Sequence, residues 1–392
     1  MITKSKRLGE VVSYIRGITF KPEDVCALGT ADSVVCMRTK NIQADLDESD
    51  LIAVDQRFAK REEQMLGEGD ILISSANSWN LVGKSVYVPK LSYRATAGGF
   101  ISIVRADTSM LDPRYLYHWI TTDKTQALIR RCGRQTTNIS NLSSSQFLDL
   151  EIPLPTLGEQ KRIAAILDKA DSLRRKRQQA IRLADDFLRA VFLDMFGDPV
   201  TNPKEWPVEN LSNLCDVATG ATPSRDAPSY FDGPHPWIKT GEVDSDWIVS
   251  AEERISDSAI AETNCKLFPP QTILVAMYGQ GKTRGKVGML GIPAATNQAC
   301  AAILPSSKVN SEFLFSQLRM SYEALREMGR GGNQENLNLG MIKTLDILRP
   351  PTELVSKYSA IRKQLKALSK PQQEVETHSL KLAASLQAEF FG

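Results

Sequence analysis

The chain is written twice, and this limits the folds open to it more than any composition figure does, because whatever one half forms the other must form too. Leu8 to Gly17 (LGEVVSYIRG) matches Leu211 to Gly220 (LSNLCDVATG) at an offset of 203, and Arg38-Thr39-Lys40-Asn41-Ile42 matches Lys239-Thr240-Gly241-Glu242-Val243 at 201. Asp70 to Ile73 falls on Thr272 to Val275 at 202, and Gly83-Lys84 falls on Gly285-Lys286 at the same offset. Gly133 pairs with Gly331 and Asn138 with Asn336 at 198. A slow drift of this kind is what small loop insertions produce.

Each half ends in a segment with helical spacing, and there the register settles at 195. Ile163, Ile166, Ala170, Leu173, Ala180, Phe187, Val191 and Met195 map onto Tyr358, Ile361, Leu365, Leu368, Val375, Leu382, Leu386 and Phe390, all apolar. Spacings of three and four held over about five heptads describe a coiled-coil seam. Arg177 and Gln372 interrupt it at equivalent places. Pro153-x-Pro155-Thr156 starts the first helix, and Gly197-Asp198-Pro199 stops it. Roughly 40 residues at 1.5 Å each give a helix of about 60 Å. Pro371 predicts a kink or restart near Lys370.

Within the halves, Ile71–Ser74, Ser85–Val88, Gly99–Val104, Thr272–Met277 and Ala299–Leu304 read as strands, and Tyr115–Arg131 and Glu312–Glu327 as helices of about four turns. The fold class is α+β: two mixed α/β globules joined by two long helices that pair as an antiparallel coiled coil. The expected boundaries are 1–155 for the first globule, 156–197 for the first long helix, 198–207 for a Pro-rich linker, 208–350 for the second globule and 351–392 for the second long helix.

Composition narrows the chemistry. Forty-two per cent apolar and 24% charged residues describe a globular chain, and 48 basic against 46 acidic residues leave a net charge of +2, so any polyanion-binding surface is local. The apolar runs fall short of the ~18 residues that cross a bilayer. The start MITKSKRLGE lacks the apolar core of a signal peptide, which leads to the expectation of a cytoplasmic protein. Six cysteines without a Cys-x-x-Cys pair, and three scattered histidines, predict reduced thiols and no metal site. Ala276 to Thr283 (AMYGQGKT) ends like a phosphate-binding loop, but its opening glycine is Ala276, and Arg284-Gly285-Lys286 is a poor helix start and a plausible hairpin. No Gly-x-Ser-x-Gly elbow, cofactor glycine loop or Asn-Pro-Pro-aromatic tetrad is present. The chain is expected to be non-catalytic and to hold no cofactor.

Acids are missing in equivalent windows. Ile71 to Ala106 has no Asp or Glu but carries Lys84, Lys90, Arg94 and Arg105; Thr263 to Ser311 has none but carries Lys266, Lys282, Arg284, Lys286 and Lys308. Lys124 to Leu148 is a third such stretch, with four basic residues followed by Gln135-Thr136-Thr137-Asn138. These are residue types that touch phosphates and read base edges. The basic run Arg174 to Arg177 lies beside Asp168, Asp171, Asp185 and Asp186 and reads as a solvated or partner-docking face.

Several motifs in order resemble the specificity subunit of type I restriction-modification systems, over the whole chain. They are Glu151 to Ile163 (EIPLPTLGEQKRI), Met195 to Pro199 (MFGDP) followed by Asn202-Pro203 and Trp206, Trp237 to Gly241 (WIKTG), Ala276 to Lys286, and Ala295 to Cys300. The resemblance implies a non-enzymatic DNA-recognition protein with two target-recognition domains, each reading one half of a split, asymmetric target. It implies two helices that act as a ruler and dock two modification methyltransferase subunits, with restriction subunits in a larger assembly. S-adenosylmethionine and ATP with magnesium would belong to those partners. The Glu159-Gln160 pair falls on Leu354-Val355 in the second copy, a departure at a docking helix.

On that reading Arg38, Lys40, Lys84, Arg134, Lys239, Lys282, Arg284 and Lys286 contact phosphates. Asn77, Asn80, Gln135, Asn138, Gln280, Gln334 and Asn336 read base edges. Two other classes stay open at this stage: a coiled-coil scaffold for protein partners, and a P-loop nucleotide-binding protein.

Overall fold

A computed structural model describes the chain except residues 1–4, 136–138, 245–246, 280, 330–335 and 392; it also leaves out the side chains of residues 135, 366, 368–384, 387 and 389. The chain divides into two compact units. Unit 1 comprises residues 1–177 and 374–392, and unit 2 comprises 178–373.

The first half runs β1 (Ser5–Arg7), β2 (Val12–Arg16), β3 (Val25–Cys26), β4 (Ser33–Met37), β5 (Ile52–Asp55), β6 (Ile71–Ser74), β7 (Ala76–Asn77), β8 (Ser85–Tyr87), β9 (Ala95–Ala97) and β10 (Ile101–Ala106). Then follow α1 (Pro113–Thr121), α2 (Asp123–Arg131), β11 (Gly133–Gln135), β12 (Ser140–Leu142), α3 (Ser144–Leu148), β13 (Glu151–Pro153) and the long α4 (Leu157–Phe196). The second half runs β14 (Val208–Asn210), α5 (Leu211–Leu214), β15 (Val217–Thr219), β16 (His235–Ile238), β17 (Glu253–Ile255), α6 (Asp257–Glu262), β18 (Ile273–Ala276), β19 (Val287–Met289), β20 (Ala295–Thr296) and β21 (Cys300–Ile303). It ends with α7 (Ser311–Met320), α8 (Tyr322–Met328), α9 (Leu339–Lys343), β22 (Asp346–Leu348) and the long α10 (Thr352–Phe391).

The repeat is structural. An antiparallel sheet of order β2-β10-β6-β8 in unit 1 answers β15-β21-β18-β19 in unit 2, and the pair β1-β13 answers β14-β22. A second sheet, β3-β5-β4-β9, has its counterpart in β17-β16-β20, and each contains one parallel pair, β4 with β9 and β16 with β20. The matched glycines explain themselves. A Cβ on Gly17 would lie 2.3 Å from the Gly98 carbonyl oxygen, and one on Gly220 would lie 1.8 Å from that of Thr296. Gly83 and Gly285 turn their hairpins at φ +83° and +84°, which L side chains rarely adopt.

Both helices expected as single four-turn elements are broken. Thr122 is extended and its Oγ1 accepts a bond from the Thr125 amide, so α1 ends and α2 begins there. Ser321 separates α7 from α8 without a side-chain cap: its Oγ donates back to the Gln317 carbonyl at 3.0 Å. Asp112 and Asn310 cap α1 and α7 identically, each accepting from the amides two and three residues on. Pro371 does not restart the second long helix: α10 runs unbroken across it, since proline's missing N–H deletes one i→i−4 bond out of a 40-residue ladder.

Within each unit an end of α4 packs on an end of α10 of opposite sense. In unit 1 Ile163, Ala164 and Leu167 at the start of α4 share a core with Leu386, Phe390 and Phe391 at the end of α10. In unit 2 Phe192 and Phe196 at the end of α4 pack on Tyr358 near the start of α10, with ring centroids 5.5 and 5.6 Å apart. Each such buried ring contributes about 1.5–3 kcal/mol.

The expected seam needs correction at alternate positions. Leu167 and Leu188 are buried while Phe187 is 52% exposed, and Leu173 is 45% exposed beside a half-buried Arg174. Ile163, Ile166, Ala170, Ala180, Val191 and Met195 are at least half-buried, as are Tyr358, Ile361, Leu365, Leu386 and Phe390. Spacings of three and four leave a one-residue choice at each step, and neighbours such as Ile166-Leu167 and Phe187-Leu188 are both apolar. Leu368, Val375 and Leu382 lie outside the described side chains.

Candidate nucleic-acid interface

In unit 1 the site grows from the hairpin between β6 and β8. Ser74 and Lys84 close it: the Ser74 amide donates to the Lys84 carbonyl and the Gly83 amide to the Ser74 carbonyl, both at 2.9 Å. Its loop carries β7, which pairs with β12, and β12 pairs with β11. Two acid-free windows far apart in sequence therefore meet in one small sheet. Arg134, Asn141 and Ala76 stand opposite one another across its three strands, with Arg134 and Asn141 exposed. In the neighbouring row the backbones of Gln135 and Asn77 pair with Ser140, which is buried. Trp79, 39% exposed, borders Gly133, and Phe100, 65% exposed, borders β7.

In unit 2 the equivalent hairpin joins β18 to β19, closed by the Ala276 amide donating to the Lys286 carbonyl and the Gly285 amide donating to Ala276. Gly281-Lys282-Thr283 thus leads into a strand and not into a helix N-terminus, so the geometry that cradles a nucleotide phosphate is missing there. Lys282 is exposed, and its carbonyl accepts from Tyr322 Oη at 2.7 Å. It borders a groove of about 640 Å³ of mixed charge, lined by Arg182, Arg189 and Arg319 but also by Asp185, Asp186 and Glu323.

The predicted cations separate into four groups. Arg38 and Lys40 both bind Asp50, Lys239 bridges Glu252 and Glu253 at 2.7 and 3.1 Å, and Lys286 meets Asp244 at 2.5 Å. Lys84 Nζ donates to Gln43 Oε1 at 2.7 Å, tying the same bend that Lys286 ties in unit 2. Arg284 is 7% exposed, its Nε has no hydrogen-bond partner among the described residues, and its side chain lies beside Gly329, so it is packed away and not displayed. Arg134 and Lys282 are exposed and carry no ion pair among the described residues.

The amides separate too. Asn77 Nδ2 donates to Ser74 Oγ at 3.1 Å and its Oδ1 accepts from the Ser78 amide at 2.9 Å, so its side chain is engaged in holding its own loop. Asn80 and Asn336 are exposed. Gln135's side chain, Asn138, Gln280 and Gln334 lie outside the described residues. Asn141 and Phe100 escaped the sequence reading. Asn141 lay in the third acid-free stretch, but only its pairing with Arg134 marks it, and Phe100 reads as the inside of a strand.

Burial pushes the Cys36 thiol up to about 12 against the opposing charge of Arg38, and burial does the same for Cys300. No two cysteines are bonded, and among the described residues no group of three His, Cys, Asp or Glu could hold a metal. No helix among them is long and apolar enough to cross a membrane.

Comparison with known proteins adds three findings. The family model described as the type I restriction modification DNA specificity domain matches residues 3–183 and again 203–381. The specificity subunit of the type I restriction enzyme StySPI from Salmonella potsdam is 23% identical over 369 residues, covering 87% of this chain and 77% of that protein. That of EcoKI from Escherichia coli strain K12 is 27% identical over 186 residues, 46% of this chain and 39% of the relative. The crystal structure of a type I restriction-modification S subunit from M. genitalium superposes with a TM-score of 0.66 at 13% identity, covering 99% of this chain and 96% of that one, a likeness of fold.

Proposed function

The chain belongs to the type I restriction-modification DNA specificity family and supplies sequence specificity for such a system, assembled with its other subunits on DNA; from this premise we propose how it divides the task. Each unit reads one half of a split, asymmetric target through its hairpin surface. Arg134 in unit 1 and Lys282 in unit 2 contact phosphates, and Asn80, Asn141 and Asn336 read base edges. The long helices set the spacer and dock two modification methyltransferases, for which the exposed Leu173, Leu183 and Phe187 of α4 offer apolar contacts. The methyl donor and the base-flipping chemistry belong to those partners, and this chain carries no catalytic step.

One observation carries the reading: the acid-free windows 71–106 and 124–148 converge on the sheet of β7, β11 and β12. An acid-free, basic and amide-bearing surface suits a polyanion, on which sequence is read at base edges. The test is single-molecule sequencing of methylated adenines in cells with and without this gene, beside its methyltransferase. A split motif that vanishes with the gene is expected, and one heptad inserted within 164–190 should lengthen its spacer by about three base pairs, since seven residues rise about 10.5 Å. Unchanged methylation with the partner expressed would return the chain to the scaffold reading.

A further inference from the structure

We propose that Phe100 is a stacking wedge that unstacks a base step in or beside the half-site read by unit 1, a role with no counterpart in unit 2. The proposal rests on the reading of the β7, β11 and β12 sheet as the DNA face.

Phe100 is 65% exposed, the most exposed of the large apolar side chains described. A single exposed phenylalanine is ordinary on a protein surface, so its setting has to carry the argument. Its backbone is clamped: the carbonyl accepts from the amides of Ser75 at 2.9 Å and Ala76 at 3.2 Å, and the turn before it closes with the Ile101 amide donating to Gly98 at 2.8 Å. The turn is also pressed down. A Cβ on Gly98 would lie 3.3 Å from the Met37 carbonyl oxygen, and one on Gly99 would lie 3.3 Å from that of Ile18. The ring therefore stands on a fixed base and loses little backbone freedom when something covers it.

Its surroundings fit nucleic acid. Ala76, whose amide binds the Phe100 carbonyl, pairs with Asn141, which pairs with Arg134. Strands about 4.8 Å apart place a phosphate contact and a base-edge reader within about 10 Å of the wedge's anchor. The sequence supplies no carboxylate from Ile71 to Ala106 or from Lys124 to Leu148 to repel a phosphate. Trp79 and Leu81, 39% and 44% exposed, lie in the loop after β7, and Trp79 borders Gly133 of β11. Proteins that bend or open DNA insert such apolar side chains between base steps. An enzyme that must extract a base is helped by a neighbour that has already loosened the stack.

Unit 2 supplies the contrast. The bond from Ser75 to Phe100 is matched by the Met277 amide donating to the Ala299 carbonyl at 2.9 Å, so a methyl group stands where unit 1 has a ring.

The test uses the complex of this subunit with its modification subunits on a duplex bearing the recovered target, with 2-aminopurine placed in turn at non-target positions of both half-sites and the spacer. Binding should raise fluorescence at one step at the unit 1 end. Phe100→Ala should abolish that rise and weaken affinity roughly tenfold with the salt slope unchanged, Phe100→Trp should keep both, and signals at the unit 2 end should not move. If Phe100→Ala changes neither affinity nor fluorescence while Arg134→Ala lowers the salt slope, the wedge is wrong and the DNA face stands. If neither variant changes anything, the face itself is misassigned and the wedge falls with it. If Phe100→Ala instead releases a modification subunit, the ring is a protein contact and the proposal is overturned.

Discussion

The two units solve one packing problem with opposite polarity. In unit 1 the arginine comes from the globule: Arg114 on α1 donates from Nε to both oxygens of Asp168 on α4 at 3.1 Å, and His118 Nε2 lies 2.8 Å from the same carboxylate. In unit 2 it comes from the long helix: Arg362 on α10 binds Glu312 on α7 at 2.5 Å. Arg114 and Glu312 occupy the same place, two residues past their capping Asp112 and Asn310. The guanidinium also lies over equivalent rings, 5.2 Å from Tyr117 in unit 1 and 4.7 Å from Phe315 in unit 2. A duplicated fold thus fixes a cation above a ring at one spot, and leaves free which element supplies it. The proposed recognition surfaces diverge in the same way, with Phe100 in one unit and Ala299 in the other at equivalent backbone bonds.

Burial decides how much each pair matters. Arg362 and Glu312 are 3% and 12% exposed, against 33% and 36% for Arg114 and Asp168. Arg362→Leu takes the guanidinium from a carboxylate that little water reaches and should cost about 3–5 kcal/mol. Chemical denaturation, with hydrogen exchange assigning the loss to unit 2, checks it. Contact with DNA should show a smaller but distinct effect. Arg134→Ala and Lys282→Ala should each lower the slope of log affinity against log salt by about one, without altering the preferred sequence, as read by titration of the assembled complex at several salt concentrations.

Arg114→Leu should cost only about 1 kcal/mol, because water already reaches Asp168. Equal losses at Arg114 and Arg362 would break the contrast between the units. A further effect concerns acid. Burial works to raise the Asp168 pKa, but the bonds from His118 and Arg114 prevail and hold it at about 2. A depressed carboxyl stabilises the fold above its unfolded pKa, so the advantage over Asp168→Asn should be full above about pH 4 and fade as pH falls to about 2. Melting temperatures of both proteins across that window check the sign.

Much of this fold is legible in the residues, and what is not has physical reasons. The repeat, the strands around Ile71–Ser74 and Thr272–Met277, the hairpin after Gly281-Lys282-Thr283 and the ends of both long helices follow from local pattern. The breaks at Thr122 and Ser321 do not, because apolar spacing continues across them and only a hydroxyl bond marks the stop, from the Thr125 amide to Thr122 in one and from Ser321 back to the Gln317 carbonyl in the other. The seam slipped at Phe187 because Leu188 is apolar too. Lys40, Lys239 and Lys286 looked available because their partners Asp50, Glu252 and Asp244 come into place only through folding. Exposure of Phe100 is a tertiary property that no alternation pattern carries.

The most direct test of two units reading two half-sites replaces residues 208–350 with a second copy of 5–153, keeping both long helices. Arg362→Asp accompanies the exchange so that Arg114 of the new copy does not meet a second arginine. Single-molecule sequencing of methylated adenines in cells expressing this chain with its modification subunits should return a motif built from the first half-site twice, with the spacer kept. A motif that retains its original second half-site, or no methylation from a complex that still assembles, would contradict the account.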